Sequence, residues 1–347
     1  MTTPLSVVMP VFNEAAHLPA TIDALVASLE NSTFSAELVL VDDGSTDGSA
    51  GVVRTSLRDR LPLRVLQQPN RGRFEARRAG LEAASADHVL LLDARVRLET
   101  DALAYVADRM SNGASVWTGH VDIETDRNPF ALFWALLASL GWREYFANPR
   151  ETSFGVDDFD HFPKGTGCFI APRGLLLAAI DAFESRYPDL RHANDDAPLL
   201  RSIATRERIH VSPGFKGVYR ARPNVRGFVS HSFHRGLVFL DGHGRRESRF
   251  FPLVVAFYPL SGLVALAVAR KPARFPLVAL ALSTVAAAVG LRARRSREDV
   301  QALALVAPVY ALAHGAGMWW GLLMLAGSPP RAGARSAWRP PPTAPSS

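Results

Sequence analysis

The chain of 347 residues is long enough to bury one large or two small domains, and 48% of its residues are hydrophobic, as in ordinary globular proteins. The net charge of +6 comes from the C-terminal part, because residues 247–347 hold eleven Lys and Arg against three Asp and Glu. The slightly acidic front part argues against nucleic-acid binding, and the single cysteine, Cys168, excludes an intramolecular disulfide or a CxxC metal cluster.

The front of the chain alternates short apolar runs with helix-like stretches. It begins without the basic and apolar pattern of a signal peptide, so we expect this part to stay in the cytoplasm. The alternation predicts a parallel sheet with crossover helices, whose ligands bind at the carboxyl ends of the strands. Strands are predicted at Leu5–Met9, Glu37–Val41, Leu63–Gln67 and His88–Leu92, and helices at about Ala15–Leu29, from the Asp42–Gly48 turn to Leu57, and at Arg71–Ala84.

Polar motifs follow the first two predicted strands. The first is Pro10-Val11-Phe12-Asn13-Glu14, which alone also fits a simple helix start with Asn13 as the N-cap. Asp42 and Asp43 end the second strand and lead into a Gly-Ser-Thr-Asp-Gly turn. Their carboxylates can accept hydrogen bonds from a base N–H or a ribose hydroxyl, although a plain capping turn is the alternative. Together the two motifs favour a nucleotide site.

A third motif, Asn70–Leu81 with the sequence NRGRFEARRAGL, follows the third strand, and Asp93 follows the fourth. In order and spacing, these four features resemble the family 2 glycosyltransferases, and the resemblance covers about residues 5–240. It implies an α/β fold of the GT-A type, with a mixed sheet flanked by helices, and an inverting transfer from a nucleotide-sugar donor. It also implies a donor site formed by Pro10, Asn13, Glu14, Asp42, Asp43, Arg71, Arg73, Asp93, Arg95 and Arg235.

One departure from the family pattern lies after the fourth strand. The family usually has D-x-D there, to hold Mg²⁺ or Mn²⁺ against the donor diphosphate, but this chain has Asp93-Ala94-Arg95. Asp93 alone can still help to hold the ion, since Mg²⁺ keeps waters and uses phosphate oxygens. Alternatively, Arg95 supplies fixed positive charge to the leaving diphosphate. Loss of activity is the third interpretation.

The acceptor half begins at about residue 111. The stretch Phe162–Gly174 resembles the glycine-containing strand of the family's acceptor site, and Asp195-Asp196 stands where the family has an acidic pair. The resemblance implies that one of these carboxylates takes the proton from an acceptor hydroxyl. We choose Asp196, with Asp195 as the alternative, because adjacent acids can raise one another's pKa; a helix N-cap is the non-catalytic interpretation. Downstream, only Arg235 matches the family's Q-x-x-R-W, as a diphosphate contact.

The C-terminal part is strongly apolar. Membrane segments are predicted at about 250–269, 275–291 and 300–326, whereas the apolar stretch Pro129–Trp142 is short and typical of a buried or interfacial helix. Every connecting loop is basic, so the positive-inside rule does not choose a topology, and an interfacial hairpin of the first two segments is an alternative. The expected domains are residues 1–240 (nucleotide-sugar half 1–110, acceptor half 111–240), membrane segments in 241–327, and a disordered tail at 328–347.

These features predict a multi-pass cell-membrane enzyme with a cytoplasmic catalytic domain. It would move a sugar from a nucleotide-sugar to a lipid or lipid-linked glycan acceptor of the cell envelope, with Mg²⁺ or Mn²⁺ as the expected cofactor. A polyprenyl-phosphate sugar synthase and a non-catalytic nucleotide-binding scaffold are the alternatives. The missing Q-x-x-R-W argues against a processive polymer synthase.

Overall fold

The computed structural model describes residues 2–126 and 128–327, and its centre is a mixed β-sheet. The strand order is β3-β2-β1-β4-β8-β6-β9-β5, with β7 paired to β9. The strands are β1 Thr3–Val11, β2 Phe34–Asp42, β3 Leu63–Gln67, β4 His88–Leu92, β5 Val96–Leu98, β6 Trp117–Ile123, β7 Thr152–Phe154, β8 Cys168–Pro172 and β9 Ile209–Tyr219.

Helices connect these strands and then continue beyond the sheet. Those associated with the sheet are α1 Leu18–Glu30, α2 Ser49–Leu57, α3 Arg73–Ala83, α4 Ala102–Ser111, α5 Pro129–Gly141, α6 Arg143–Phe146, α7 Arg173–Asp181, α8 Ala197–Ala204 and α9 Val225–His243. Three apolar helices follow: α10 Phe251–Arg270, α11 Phe275–Arg292 and α12 Arg297–Ala326.

The four strands from the front of the chain run parallel. β1 pairs with β2 and β4, and β2 pairs with β3, all in the parallel sense. Parallel neighbours need crossover connections, which α1, α2 and α3 supply. β8 then runs antiparallel to β4, and β6 antiparallel to β8, which makes the sheet mixed. The carboxyl ends of β1, β2 and β4 therefore meet at one edge, and their polar motifs meet with them.

The three C-terminal helices differ in how much the rest of the chain covers them. Each is long and apolar enough to cross a membrane. In an apolar stretch of 18 residues from each helix, 39% of the α12 residues are buried, against 6% in α10 and 6% in α11. Near its start, α12 packs Leu303 and Val306 against Phe133 of α5 and Phe228 of α9. Near its end, Met318 joins a cluster with residues of α9 and α10. The third predicted segment thus packs against α5 and α9 near its start and against α9 and α10 near its end.

Glycines permit the close approach of α9 and α12. A Cβ added to Gly236 of α9 would lie 2.0 Å from the carbonyl oxygen of His314, and one added to Gly317 of α12 would lie 2.0 Å from that of Phe233. Helix α9 runs continuously through residue 240, the predicted domain boundary, so the division into domains stays a prediction. The predicted tail at 328–347 lies outside the described residues.

Candidate active site

The loops after β1 and β2 are hydrogen-bonded to each other. Asn13 has a left-handed backbone (φ 55°), and its side-chain oxygen accepts a hydrogen bond from the Thr46 N–H at 2.8 Å. In return, the Asn13 N–H donates to the Ser45 hydroxyl at 3.0 Å, and the Ala15 N–H donates to Asp47 at 2.9 Å. Asn13, which was predicted to line the donor pocket, therefore fixes one loop against the other.

The two acids at the end of β2 have different partners. Asp43 is buried and accepts hydrogen bonds from the Gln68 side chain at 2.7 Å, from the Arg71 N–H at 2.8 Å and from the Gly72 N–H at 2.9 Å. It thereby shapes the turn that leads into α3. The Asp42 carboxylate accepts only one hydrogen bond among the described residues, from the Ser45 N–H at 2.9 Å. Both acids are buried, and of the pair only Asp42 has a carboxylate oxygen without a hydrogen-bond partner among the described residues.

Arg77 of α3 joins the two halves of the site. Its side chain is only 3% exposed and donates through Nη2 to the Asp93 carboxylate at 2.8 Å, and through Nη1 to Asp195. Arg73, one helical turn earlier, donates to the other oxygen of Asp195 at 2.7 Å. The carboxylate that ends β4 and the acidic pair before α8 thus belong to one cluster. The sequence analysis missed Arg77, although its spacing of four from Arg73 places both arginines on one helix face.

Asp196 remains partly open, with 32% of its side chain exposed. It accepts hydrogen bonds from the Thr166 N–H at 3.1 Å and from the Thr166 hydroxyl, and it lies 3.7 Å from Arg73 Nη2. Burial would raise the pKa of Asp196, but the charges of Arg73 and Arg77 and the Thr166 bonds outweigh burial and lower it well below its ordinary value. The expectation of a raised pKa is wrong for Asp196, because arginines dominate its surroundings.

Arg95 is paired with the acid of the first motif. Asp93 and Arg95 share a turn closed by the hydrogen bond from the Val96 N–H to the Asp93 carbonyl, and Arg95 Nε lies 2.8 Å from the Glu14 carboxylate. Arg95 Nη1 is buried and has no hydrogen-bond partner among the described residues. Burial first, and then the charge of Arg95, lower the pKa of the neighbouring His17 to about 4, so that imidazole is neutral near pH 7.

The other predicted donor residues are Pro10, Arg71 and Arg235. Pro10 is within β1, opposite Val41 of β2, and the Arg71 side chain is exposed beside the turn that Asp43 holds. Arg235 of α9 places its guanidinium carbon 5.4 Å from the ring centre of Trp134 on α5, and none of its hydrogen bonds or ion pairs with the described residues reaches the cluster.

Helix α9 approaches the cluster through another residue. His234 lies in the electrostatic field of Arg73 and Asp195.

A family model described as glycosyl transferase family 2 matches residues 6–165. These residues are a glycosyl transferase family 2 domain. The match contains β1 to β4, the Asp93–Arg95 turn, Arg77 and the start of the acceptor half. The predicted family resemblance is therefore confirmed.

Curated relatives of the family 2 domain are lipid-phosphate sugar transferases by name. Two undecaprenyl-phosphate 4-deoxy-4-formamido-L-arabinose transferases, from Aeromonas hydrophila and Yersinia pestis, are 33% identical over 114 residues and 36% identical over 109 residues. The matches cover 32% and 30% of this chain and 35% and 33% of those proteins. The chain thus spans about a third of the length of the curated relatives that it matches.

Solved structures share the fold over most of the chain. The mannosyltransferase PcManGT from Pyrobaculum calidifontis, in complex with GDP-Man and Mn²⁺, has a TM-score of 0.54 at 18% identity, covering 92% of this chain and 88% of that one. S. aureus TarS 1–349, in complex with UDP, has a TM-score of 0.50 at 18% identity, covering 94% and 90%. The predicted GT-A fold class, a mixed sheet with flanking helices, is confirmed.

The Mn²⁺ in the mannosyltransferase raises the question of whether this family 2 domain has ligands for such an ion. A hard divalent cation binds oxygen ligands, and in nucleotide sites one or two free carboxylates of the protein hold it together with waters and phosphate oxygens. Residues 2–126 and 128–327 contain no group of three His, Cys, Asp or Glu residues suited to a metal. Glu14 and the three carboxylates of the Arg77 cluster each lie within 4 Å of an arginine. The pairs are Glu14–Arg95, Asp93–Arg77, Asp195–Arg73 and Asp196–Arg73. This donor set does not fit Mg²⁺ or Mn²⁺.

Proposed function

We propose that this protein is an inverting glycosyltransferase of hexosyl type, which moves a sugar from a nucleotide-sugar donor to a lipid phosphate. The observation that carries the proposal is the Arg77 cluster, in which Asp93 from the donor half meets Asp195-Asp196 from the acceptor half. Arg77 and Asp93 lie in the stretch that matches the family 2 model, and Asp195-Asp196 lie beyond it. The names of the curated relatives support a polyprenyl phosphate as the acceptor.

The state of Asp196 favours a phosphate over a hydroxyl as the attacking group. A hydroxyl must lose its proton as it attacks, and a carboxylate with a strongly lowered pKa is a weak base for that proton. A phosphate monoester has a second pKa of about 6, so it is largely dianionic near pH 7 and attacks without a base. The site is therefore better suited to a lipid phosphate than to a glycan hydroxyl, and Asp196 acts through its contacts with Thr166 and Arg73, which it helps to hold in place.

The transfer is a direct displacement. An oxygen of the acceptor phosphate attacks the anomeric carbon from the side opposite the donor diphosphate, and a new carbon–oxygen bond forms. The bond from the anomeric carbon to the diphosphate oxygen breaks, and its electron pair leaves with the nucleoside diphosphate, so the configuration inverts. Arginines at this edge of the sheet stabilise the negative charge that develops on the leaving group.

Residues 1–240 form the catalytic part in this proposal, and residues 241–327 attach it to the cell membrane. The exposed apolar surfaces of α10 and α11 support membrane attachment, because water-soluble proteins rarely expose such large apolar surfaces. The proposal places the catalytic part on the cytoplasmic side, where nucleotide-sugars are made.

The test uses two acceptors that differ only at the reacting group. Full-length protein in detergent receives radiolabelled UDP-, GDP- or dTDP-sugars with either undecaprenyl phosphate or undecaprenol, followed by organic extraction. We expect label in the organic phase with the phosphate and at least about 100-fold less with the alcohol, because Asp196 is a weak base. For the same reason, Asp196→Asn should slow transfer to the phosphate by less than about tenfold, whereas loss of a general base costs about 10²–10⁴.

Two results would contradict the proposal. Transfer to both acceptors, abolished by Asp196→Asn, would identify a hydroxyl acceptor with Asp196 as the base. If folded protein bound nucleotide but transferred no sugar to either acceptor, the alternative of a non-catalytic nucleotide-binding scaffold would be favoured.

A further inference from the structure

The turn after β4 carries one carboxylate and one guanidinium. The Asp93 carboxylate is already engaged by Arg77, and Arg95 stands two residues later, where a second carboxylate would serve a metal. Exchanging a carboxylate for a guanidinium removes an oxygen ligand and adds positive charge beside any ion. Coulomb repulsion would therefore oppose a divalent cation next to Arg95.

The same arrangement suits an anion. Arg95 uses Nε for Glu14 and keeps Nη1 buried without a partner, so a group that accepts hydrogen bonds is required to satisfy that N–H. A guanidinium presents a planar set of donors that matches two phosphate oxygens at once. Glu14 fixes the direction of this donor set by holding Nε.

Further positive charge surrounds Arg95. The electrostatic field at His17 comes from Arg95 together with Arg220 and Arg222 of the segment after β9. The Arg220 guanidinium lies 3.8 Å from the Glu124 carboxylate. The Arg222 guanidinium has one hydrogen-bond contact, with the His231 imidazole at 3.3 Å, and no carboxylate partner in the described residues.

Arg73 extends this charged surface towards Asp196. Burial first, and then the charges of Arg235, Arg222, His234 and Arg73, lower the pKa of His231, so Arg222 and Arg73 both lie near this imidazole. The Arg73 side chain is 44% exposed and accessible to a ligand.

We propose that Arg95, supported by the charges of Arg73 and Arg222, binds the diphosphate of the nucleotide-sugar in place of a divalent cation. Donor binding and turnover then need no metal. The inference rests on the proposed function, because it assumes a nucleoside diphosphate as the ligand. Glu14 acts as a positioning residue, since it orients Arg95 and does not itself contact the phosphates.

Calorimetric titration of the full chain in detergent with UDP, GDP and dTDP tests this inference without requiring turnover. For the nucleotide that binds, we expect dissociation constants in EDTA and in Mn²⁺ to agree within about twofold. Arg95→Ala should weaken binding at least about tenfold in both buffers, as expected for a charge-assisted contact. The matched control is Arg97→Ala, which removes an arginine two residues later that pairs with Glu124 at 2.8 Å and should leave affinity unchanged.

A second variant reverses the metal requirement. Arg95→Asp places a carboxylate beside Glu14 and Asp93 and restores the D-x-D pattern. We expect this variant to bind nucleotide weakly in EDTA and at least about tenfold more tightly with Mn²⁺, because a divalent ion would then have oxygen ligands. In transfer assays, we expect the natural chain to be equally active in EDTA and in Mn²⁺. We expect Arg95→Asp to be weakly active in EDTA and more active with Mn²⁺.

The possible failures can be told apart. Binding by the natural chain in Mn²⁺ but not in EDTA would overturn the metal-free inference and leave the proposed transfer intact. Unchanged affinity in Arg95→Ala would overturn the role of Arg95. If folded protein bound none of the three nucleotides in either buffer, the proposed function would fail, and this inference with it.

Discussion

At the scale of single residues, Arg77 is the group on which the geometry of the site depends most. It lies between Asp93 and Asp195 with almost no solvent exposure. Removing one partner of a buried ion pair leaves an uncompensated charge, which costs about 3–5 kcal/mol. Asp195 would still pair with Arg73, so the change mainly leaves Asp93 without its partner. The distance between the two carboxylates would also no longer be fixed.

We therefore expect Arg77→Met to lower the free energy of unfolding by about 3 kcal/mol and to abolish sugar transfer. Arg77→Lys should keep only part of the stability, because a single ammonium cannot donate to both carboxylates as the guanidinium does. The measurement is chemical denaturation in detergent, followed by the transfer assay on folded protein.

The control for Arg77 is its neighbour on the helix. Arg78 is 41% exposed and pairs with Glu82 and Asp181 at the surface, so Arg78→Ala should change stability by less than about 0.5 kcal/mol. Equal effects of the Arg77 and Arg78 variants would refute the role given to Arg77.

The sequence located the residues of the site better than it predicted their roles. Asp42 and Asp43 are adjacent, and nothing local indicates that Asp43 holds a turn formed 28 residues later while Asp42 accepts a single side-chain hydrogen bond among the described residues. Likewise, the pairing of Arg95 with Glu14 joins residues 81 positions apart, and no spacing rule predicts it. The lowered pKa of Asp196 also depends on arginines from a distant helix. Such properties follow from tertiary contacts.

At the scale of elements, the predicted strands of the nucleotide half are confirmed. β3 and β4 have the predicted bounds, because their apolar runs end at clear turn residues. Helix α1 begins later than predicted, at Leu18, with Pro19 in its first turn, where a missing N–H does no harm. The three-residue strands β5 and β7 were not predicted, since such short segments show no periodicity and form only by pairing with β9.

The contact between α9 and α12 yields a prediction at this scale. A side chain at Gly317 would collide with the Phe233 backbone, so Gly317→Leu must separate the two helices. We expect a loss of stability of about 1–3 kcal/mol, together with slower transfer, because α9 carries His234 towards the Asp195 cluster. Thermal unfolding in detergent and the transfer assay measure these two effects.

A glycine of α10 provides the control. The nearest atom to a Cβ at Gly262 is in Trp319, at 3.8 Å, which is ordinary contact, so Gly262→Ala should be neutral or slightly stabilising. If Gly317→Leu behaved like Gly262→Ala, the packing of α12 on α9 would not hold in the folded protein.

At the scale of the whole molecule, the apolar helices do not form one uniform group. Composition alone predicted three membrane segments, with a hairpin of the first two as the alternative, because hydropathy does not show which apolar face the rest of the chain covers. Helix α12 packs on α5 and α9, whereas α10 and α11 keep exposed leucines and valines. At the far end of α11, Arg295 donates to Ser139 of α5 at 2.8 Å, so residues 293–296 lie beside the catalytic part.

The single cysteine makes the topology measurable. Cys168 is buried, and burial raises the pKa of its thiol well above the ordinary value, so it should not react with maleimides. We expect Ala273→Cys and Ala293→Cys to be labelled from opposite sides of sealed vesicles by an impermeant maleimide, with Ala293→Cys on the catalytic side. The natural chain is the unlabelled control.

An interfacial hairpin would give a different pattern. If α10 and α11 entered and left the bilayer on one side, Ala273→Cys would stay unlabelled from both sides until detergent was added. Labelling of both variants from the catalytic side would show that neither helix crosses.

In the proposed function, the direct packing of α12 on α9 also determines how the transferase meets its acceptor. With α12 in the membrane and held against α9, the proposed transfer site stays at the lipid surface, and the lipid acceptor reaches it by lateral diffusion. The rate then follows the mole fraction of acceptor in the bilayer. Adding buffer to a suspension of vesicles leaves turnover per enzyme unchanged, whereas adding inert phospholipid to the same bilayers slows it, as in surface-dilution kinetics.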